Sequence, residues 1–79
     1  MKMRNINVGK RYRHFKGHIV EVILIAKDTE TLEDLVVYKH IDKNEFWVRP
    51  YKMFNSVVDK EKYPNATQTY RFEEIKVDL

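Results

Sequence analysis

Residues 19–26 read IVEVILIA. The run is dense in β-branched residues and too short for a membrane-crossing helix, which suits a strand buried on both faces for most of its length. Residues 35–41, LVVYKHI, make a second strand. Alternation puts Leu35, Val37 and Ile41 on one face and Val36, Tyr38 and His40 on the other. The segment between them, AKDTETLED, is polar and acidic. Thr31 to Asp34 fits a helix capping box, but β-forming residues follow, so the segment reads as a hairpin loop.

Working outward, GKRYRHF (residues 9–15) supplies an opening strand, and Gly17 marks the turn into the long one. Glu45 to Arg49 forms a further strand, which Pro50 ends because proline has no N–H for a ladder. YKMFNSVV (residues 51–58) reads as a helical turn that tucks Met53, Phe54 and Val57 onto the core. Residues 59–69 form a loop, including the sequon-like Asn65-Ala66-Thr67. Residues 70–77 close the chain as a last strand, with Tyr70, Phe72 and Glu74 on one side. The expectation is a mainly β fold of about five strands with one short helical turn. A small bent sheet removes its exposed edges by closing, so the predicted architecture is an SH3-like barrel. An OB-like barrel is the nearest competitor and usually needs a longer chain and a fuller helix. With no linker, repeat or low-complexity stretch, residues 1–79 read as one domain.

Composition removes several functional classes. The 79 residues include no cysteine, which excludes disulfides, thiolate zinc sites and cysteine nucleophiles. The two glycines stand apart, so there is no glycine-rich phosphate loop. The start, MKMRNINVGKRYR, has charge but no apolar signal region, and the longest apolar run, VILIA, is far below the roughly 20 residues of a membrane span. A cytoplasmic protein without membrane association is expected. Residues 1–27 carry seven Lys/Arg against one acid, a sum of +6, and residues 28–45 sum to −4 within a net charge of only +3. That polarity suits an anion-facing surface with a counter-patch, or two segments that neutralise each other across neighbouring strands.

Two aromatic-basic stretches carry the candidate chemistry. In YRHFKG, strand alternation sends Tyr12, His14 and Lys16 one way and Arg13 and Phe15 the other. Arginine with aromatics can hold phosphate and stack on bases. The structural alternative has Phe15 and Tyr12 in packing and Arg13 paired with Glu30 or Glu33. In WVRP, Trp47 and Arg49 share a face, with Val48 expected in the core. Both residue types are favoured at binding hot spots, and the alternative is a capping Trp47 with Arg49 in a structural ion pair. Glu30 and Glu33, with His14, are the only acid–base candidates. His14 and His18, if extended, lie roughly 13 Å apart, too far for one metal ion, so no metal or other cofactor is expected.

The residues Tyr12-Arg13-His14-Phe15-Lys16-Gly17, Thr29-Glu30-Thr31 with Glu33, Val36-Val37-Tyr38, Trp47-Val48-Arg49-Pro50 with Met53-Phe54, and Arg71-Phe72 occur in that order. This set resembles the bacterial domain-of-unknown-function family 1653 over roughly residues 9–73. The resemblance implies a small SH3-like barrel and no assigned activity. It also marks Asp28 as a departure, since the family commonly carries His before Thr-Glu-Thr. The candidate ligand-binding set is therefore Tyr12, Arg13, His14, Lys16, Glu30, Tyr38, Trp47 and Arg49. The leading expectation is a non-enzymatic binding module for RNA, DNA or a nucleotide-like anion. A protein- or peptide-interaction module is the alternative, and an enzyme using His14 with Glu30 and Glu33 is the third. A monomer or weak homodimer is expected.

Overall fold

The computed structural model describes residues 4–76. Its elements are β1 (Arg11–His14), β2 (Ile19–Lys27), β3 (Asp34–His40), β4 (Phe46–Pro50), the short helix α1 (Tyr51–Phe54) and β5 (Phe72–Glu74). All five strands belong to one antiparallel sheet in the order β4-β3-β2-β1-β5. The first four strands form a meander, and β5 returns to pair with β1. No helix among the described residues is long and apolar enough to cross a membrane. The expected last strand is shorter than its reading: Tyr70 makes an isolated bridge to Val57, and the ladder begins at Phe72. Val77 lies outside the described residues.

Two turns set the hairpins. Between β1 and β2, the amide of His14 donates to His18 O at 2.8 Å, and the amide of Gly17 donates to His14 O at 2.8 Å. Gly17 adopts φ 107°, a conformation open chiefly to glycine. Between β2 and β3, Asp28 Oδ1 accepts the amides of Glu30 (2.8 Å) and Thr31 (3.2 Å), and Thr31 Oγ1 accepts the amide of Glu33. The capping-box pattern thus folds as a turn, with Leu32 in the left-handed region at φ 61°.

The reading of β2 as buried on both faces needs correction. Val20 and Val22 are fully buried, yet Leu24 is 46% exposed, and Ile25 rather than Leu24 packs on the core. The cause is a register irregularity between Val22 and Leu24. A bulge shifts the alternation by one residue and bends the strand. Apolar residues of both parities therefore serve one interior face in turn, which in sequence looks like a doubly buried run.

The core is built from Ile6, Tyr12, Val20, Val22, Val36, Tyr38, Phe54 and Phe72. Phe54 is its centre. It stacks on Phe72 with centroids 4.1 Å apart and planes 3° from parallel, and meets Tyr12 and Tyr38 at 5.5 Å each. Helix α1 carries Phe54 inward, but Met53 and Val57, expected beside it, are exposed, and Val58 is buried instead. The closure expected of a barrel does not occur either. Strands β4 and β5 remain the two edges of an open sheet. Phe54, carried by α1, stacks in the interior on Phe72 of β5, and α1 packs against β3 and β4.

Because Phe54 is fully buried among three aromatic rings, Phe54→Ala is expected to cost about 3–5 kcal/mol. Met53→Ala should change stability by less than about 0.5 kcal/mol. Urea unfolding followed by Trp47 fluorescence checks both, and equal losses would contradict the assignment of Phe54 as the central core residue.

Candidate anion-binding cleft at the open edge

Register decides which side of the sheet each candidate occupies. Directly opposed residues share a face. Tyr38 pairs with Trp47 and Val36 with Arg49. Val36 and Tyr38 are core residues, so Trp47 and Arg49 lie on the interior face. They stay partly exposed (Trp47 at 49%) because β4 is an edge. Val48, expected in the core, belongs to the outer face opposite Val37 and is 60% exposed. The alternation of WVRP was right and the face assigned to it was inverted.

On β1 the interior face carries Tyr12 and His14, both buried. Tyr12 is a core residue, its hydroxyl accepting the Asn7 amide at 2.8 Å. Tyr38 is likewise core. Arg13 is on the outer face, opposite Glu73 on β5 and not beside Glu30 or Glu33. Glu30 and Glu33 are exposed in the β2–β3 loop, at the far end of β2 from His14. Nine strand residues separate the ends, roughly 30 Å at full extension, so the three groups cannot serve one substrate. Asp28 closes that same remote loop, and its carboxyl is held below the usual range by the amides of Glu30 and Thr31. The departure at this position therefore does not touch the cleft.

Of the remaining candidates, His14, Lys16 and Arg49 converge, while Trp47 does not line the cleft they share. A cleft of about 380 Å3 is walled by His14, Phe15 and Lys16 from the first stretch and Arg49 from the second. Arg71, Lys62, Tyr63, Asp59 and Val58 complete it. Four cations thus face one carboxylate. Among the described residues none of the four is in an ion pair; the ion pairs are Arg11–Glu21, Lys27–Asp34 and Lys76–Glu74. Arg49 sits 5.8 Å above the Phe72 ring, and Lys16 5.2 Å from the Tyr63 ring. The Arg71 Nε donates to Ser56 Oγ at 3.2 Å. Lys62, Arg71 and Asp59 were missed as site residues. Asp59 and Lys62 stand in DKEKYP, residues 59–64, whose two lysines and two acids sum to zero and so give no basic signal, while Arg71 stands in the Arg71-Phe72 marker.

An aromatic row joins the two stretches. The rings of His14 and His18 stack at 4.4 Å, His18 meets His40 at 5.1 Å, and His40 meets the edge of Trp47 at 6.2 Å. The β1–β2 turn folds His18 back onto His14, which corrects the extended separation of roughly 13 Å. Among the described residues no three His, Cys, Asp or Glu are grouped to hold a metal. The amide of Lys16 donates to His14 Nδ1 at 3.1 Å, so the neutral ring carries its proton on Nε2. Burial pushes the His14 pKa down to about 4, helped by His18 and the cations Arg49, Arg71 and Lys16. His18 is lowered too, by burial and then by His40, Lys16 and Arg49.

Residues 10–74 of the 79-residue chain match the family described as protein of unknown function (DUF1653). The chain belongs to this family. The match spans YRHFKG, WVRP and Arg71-Phe72, and so covers the cleft in full. No curated protein and no solved structure matches the chain.

The depressed His14 pKa has a definite sign. Between pH 6.5 and about 4 the unfolded chain binds a proton that folded His14 refuses. Stability is therefore fullest above pH 6.5 and is lost as pH falls through that window. The urea midpoint should drop between pH 6.5 and 5, with His14→Gln flattening the drop. A wild-type midpoint that is flat or rises on acidification would refute this.

Proposed function

We propose that this protein is a non-enzymatic binding module whose open-edge cleft holds a phosphate-bearing ligand, single-stranded nucleic acid or a nucleotide-like anion. The observation that carries the reading is the convergence of Lys16, Arg49, Lys62 and Arg71 on one cleft with no ion-pair partners among the described residues. Four like charges held together repel one another, and an anion relieves that repulsion. Phe15, Tyr63 and the half-exposed Trp47 supply planar surface near those charges, and stacking of a base on an aromatic ring contributes about 1–3 kcal/mol. The reading places the protein in the cytoplasm, where such ligands are abundant. We further propose that the scaffold is an SH3-like barrel left partly open. The meander of four strands, the bulge in β2 and the helical turn before a fifth strand that returns to β1 support that assignment.

A second reading has its own observation. Strand β4 exposes Phe46 and Val48 on its outer face and Trp47 on its inner one, and an exposed sheet edge can take an extended peptide as an added strand. The first reading is preferred because strand addition makes no use of the four cations.

Labelled single-stranded oligonucleotides, followed by fluorescence polarisation at low salt, test the first reading. Binding is expected, with a log–log salt slope of about −2 to −3 if three or four phosphates are neutralised. The double variant K16E/K62E should weaken binding at least tenfold, whereas Arg13→Gln, on the outer face, should leave it within about twofold. No binding of RNA, DNA or a free nucleotide at low salt would defeat the proposal, as would equal effects of the two variants.

A further inference from the structure

Independently of what the cleft binds, we infer that the open β4 edge pairs with the β4 edge of a second copy of this chain, antiparallel and about a twofold axis. Leu35 pairs with Pro50. Pro50 has no N–H, so this pair cannot exchange backbone hydrogen bonds. Bonded and non-bonded pairs alternate along an antiparallel ladder, which makes Val36–Arg49 and Tyr38–Trp47 the bonded ones. The amides and carbonyls of Phe46 and Val48 therefore point away from β3, toward the open side. Among the described residues they have no hydrogen-bond partner.

The outer face behind that edge is apolar. Leu24, Val37 and Val48 lie in one row across β2, β3 and β4, and Ala26, Leu35 and Pro50 lie in the next. At the edge itself Val48 is 60% exposed and Phe46 is 62% exposed. Edge strands are commonly blunted by charges that repel a second strand. The charges along β4 are instead of opposite sign, Glu45 just before it and Arg49 within it. Neither has an ion-pair partner among the described residues.

A twofold axis through Trp47 satisfies all of these groups at once. Phe46 and Val48 of one copy then face Val48 and Phe46 of the other, and exchange the open amides and carbonyls. The same pairs cover apolar side chains on the outer face. On the inner face Glu45 lies opposite Arg49 of the second copy, and Trp47 lies opposite itself. Both are non-hydrogen-bonded positions, where side chains approach closest, and opposite charges and aromatic pairs are favourable there. The neighbouring registers do worse. With the axis through Val48, Phe46 faces Pro50, which has no amide to give. With the axis through Phe46, Arg49 faces Lys43, like charge against like. The contact is isologous, so it closes at two copies. One short strand pair buries little area, and the dimer is accordingly weak. It engages Arg49 and leaves Lys16, Lys62 and Arg71 to a ligand in the cleft.

Sedimentation equilibrium of the whole chain, from about 10 μM to about 1 mM, tests this. Wild type should pass from monomer to dimer across that range. Glu45→Arg or Arg49→Glu alone sets like charges opposite each other and should raise the dissociation constant at least about tenfold. An equimolar mixture of the two variants restores both ion pairs, and should dimerise about as tightly as wild type. Val48→Pro removes an amide that β3 does not use, and should abolish the dimer while the circular dichroism spectrum stays that of wild type. Should Val48→Pro not fold, the mixture decides. A wild-type chain that stays monomeric throughout overturns the inference and leaves the edge to a strand from another protein. A dimer that survives Val48→Pro, or growth beyond two copies, overturns the assignment to a closed β4 pair. Single variants that dimerise like wild type, or a mixture no tighter than its components, overturn the register.

Discussion

The stack of Phe54 on Phe72 is the contact on which the rest of the structure depends. Helix α1 is four residues long, far below the length at which a helix stands alone in water. It persists because Phe54 buries fully against Phe72, Tyr12 and Tyr38, which ties β5, β1 and β3 to a single side chain. The fold thus covers its core with a helical turn and an aromatic plug, and leaves β4 and β5 unpaired with each other.

The open edge has a direct consequence for the surface. In a closed sheet the interior positions of β4 would be sealed. Here Trp47 and Arg49 point inward from an edge and remain within reach of solvent. Arg49 lines one cleft with His14, Lys16 and the loop after α1, and Trp47 meets His40. The protein is only mildly basic overall, at +3, yet four of its cations share one cleft. Net charge is a poor guide to such a site, since local geometry sets the field that a ligand meets. The neutral state of His14 belongs to this arrangement. A fifth positive charge buried beside Arg49, Arg71 and Lys16 would be expensive, and desolvation together with those neighbours keeps the proton off.

Much of the backbone was legible from residue types. The β-branched runs, Gly17, Pro50 and the polar AKDTETLED segment place four strands and their turns close to where they lie. The misreadings have specific causes. A bulge is invisible to strict alternation, so the parity change after Val22 looked like two buried faces. Val48 is more apolar than Arg49, so hydrophobicity assigned the wrong face of β4. Met53 and Val57 are apolar at plausible helical spacing, yet a single turn turns only Phe54 inward. His14 and His18 look distant along an extended chain and touch because the turn between them is tight. For the site, His14, Lys16 and Arg49 were legible as an aromatic-basic signal. Lys62, Arg71 and Asp59 were not, because they reach the cleft from a loop whose course no periodicity describes.

The sequence by itself determined that the chain is β-rich, that Trp47 and Arg49 share a face, and that Tyr12 and His14 share another. These follow from the two-residue period of an extended backbone, which is local. Only the tertiary structure decided which of those faces is interior, that the sheet stays open, and that YRHFKG and WVRP border one cleft. Those facts depend on the register of β3 against β4 and on Phe54 stacking on Phe72. Both are contacts between residues distant in the chain, and a local pattern cannot encode them.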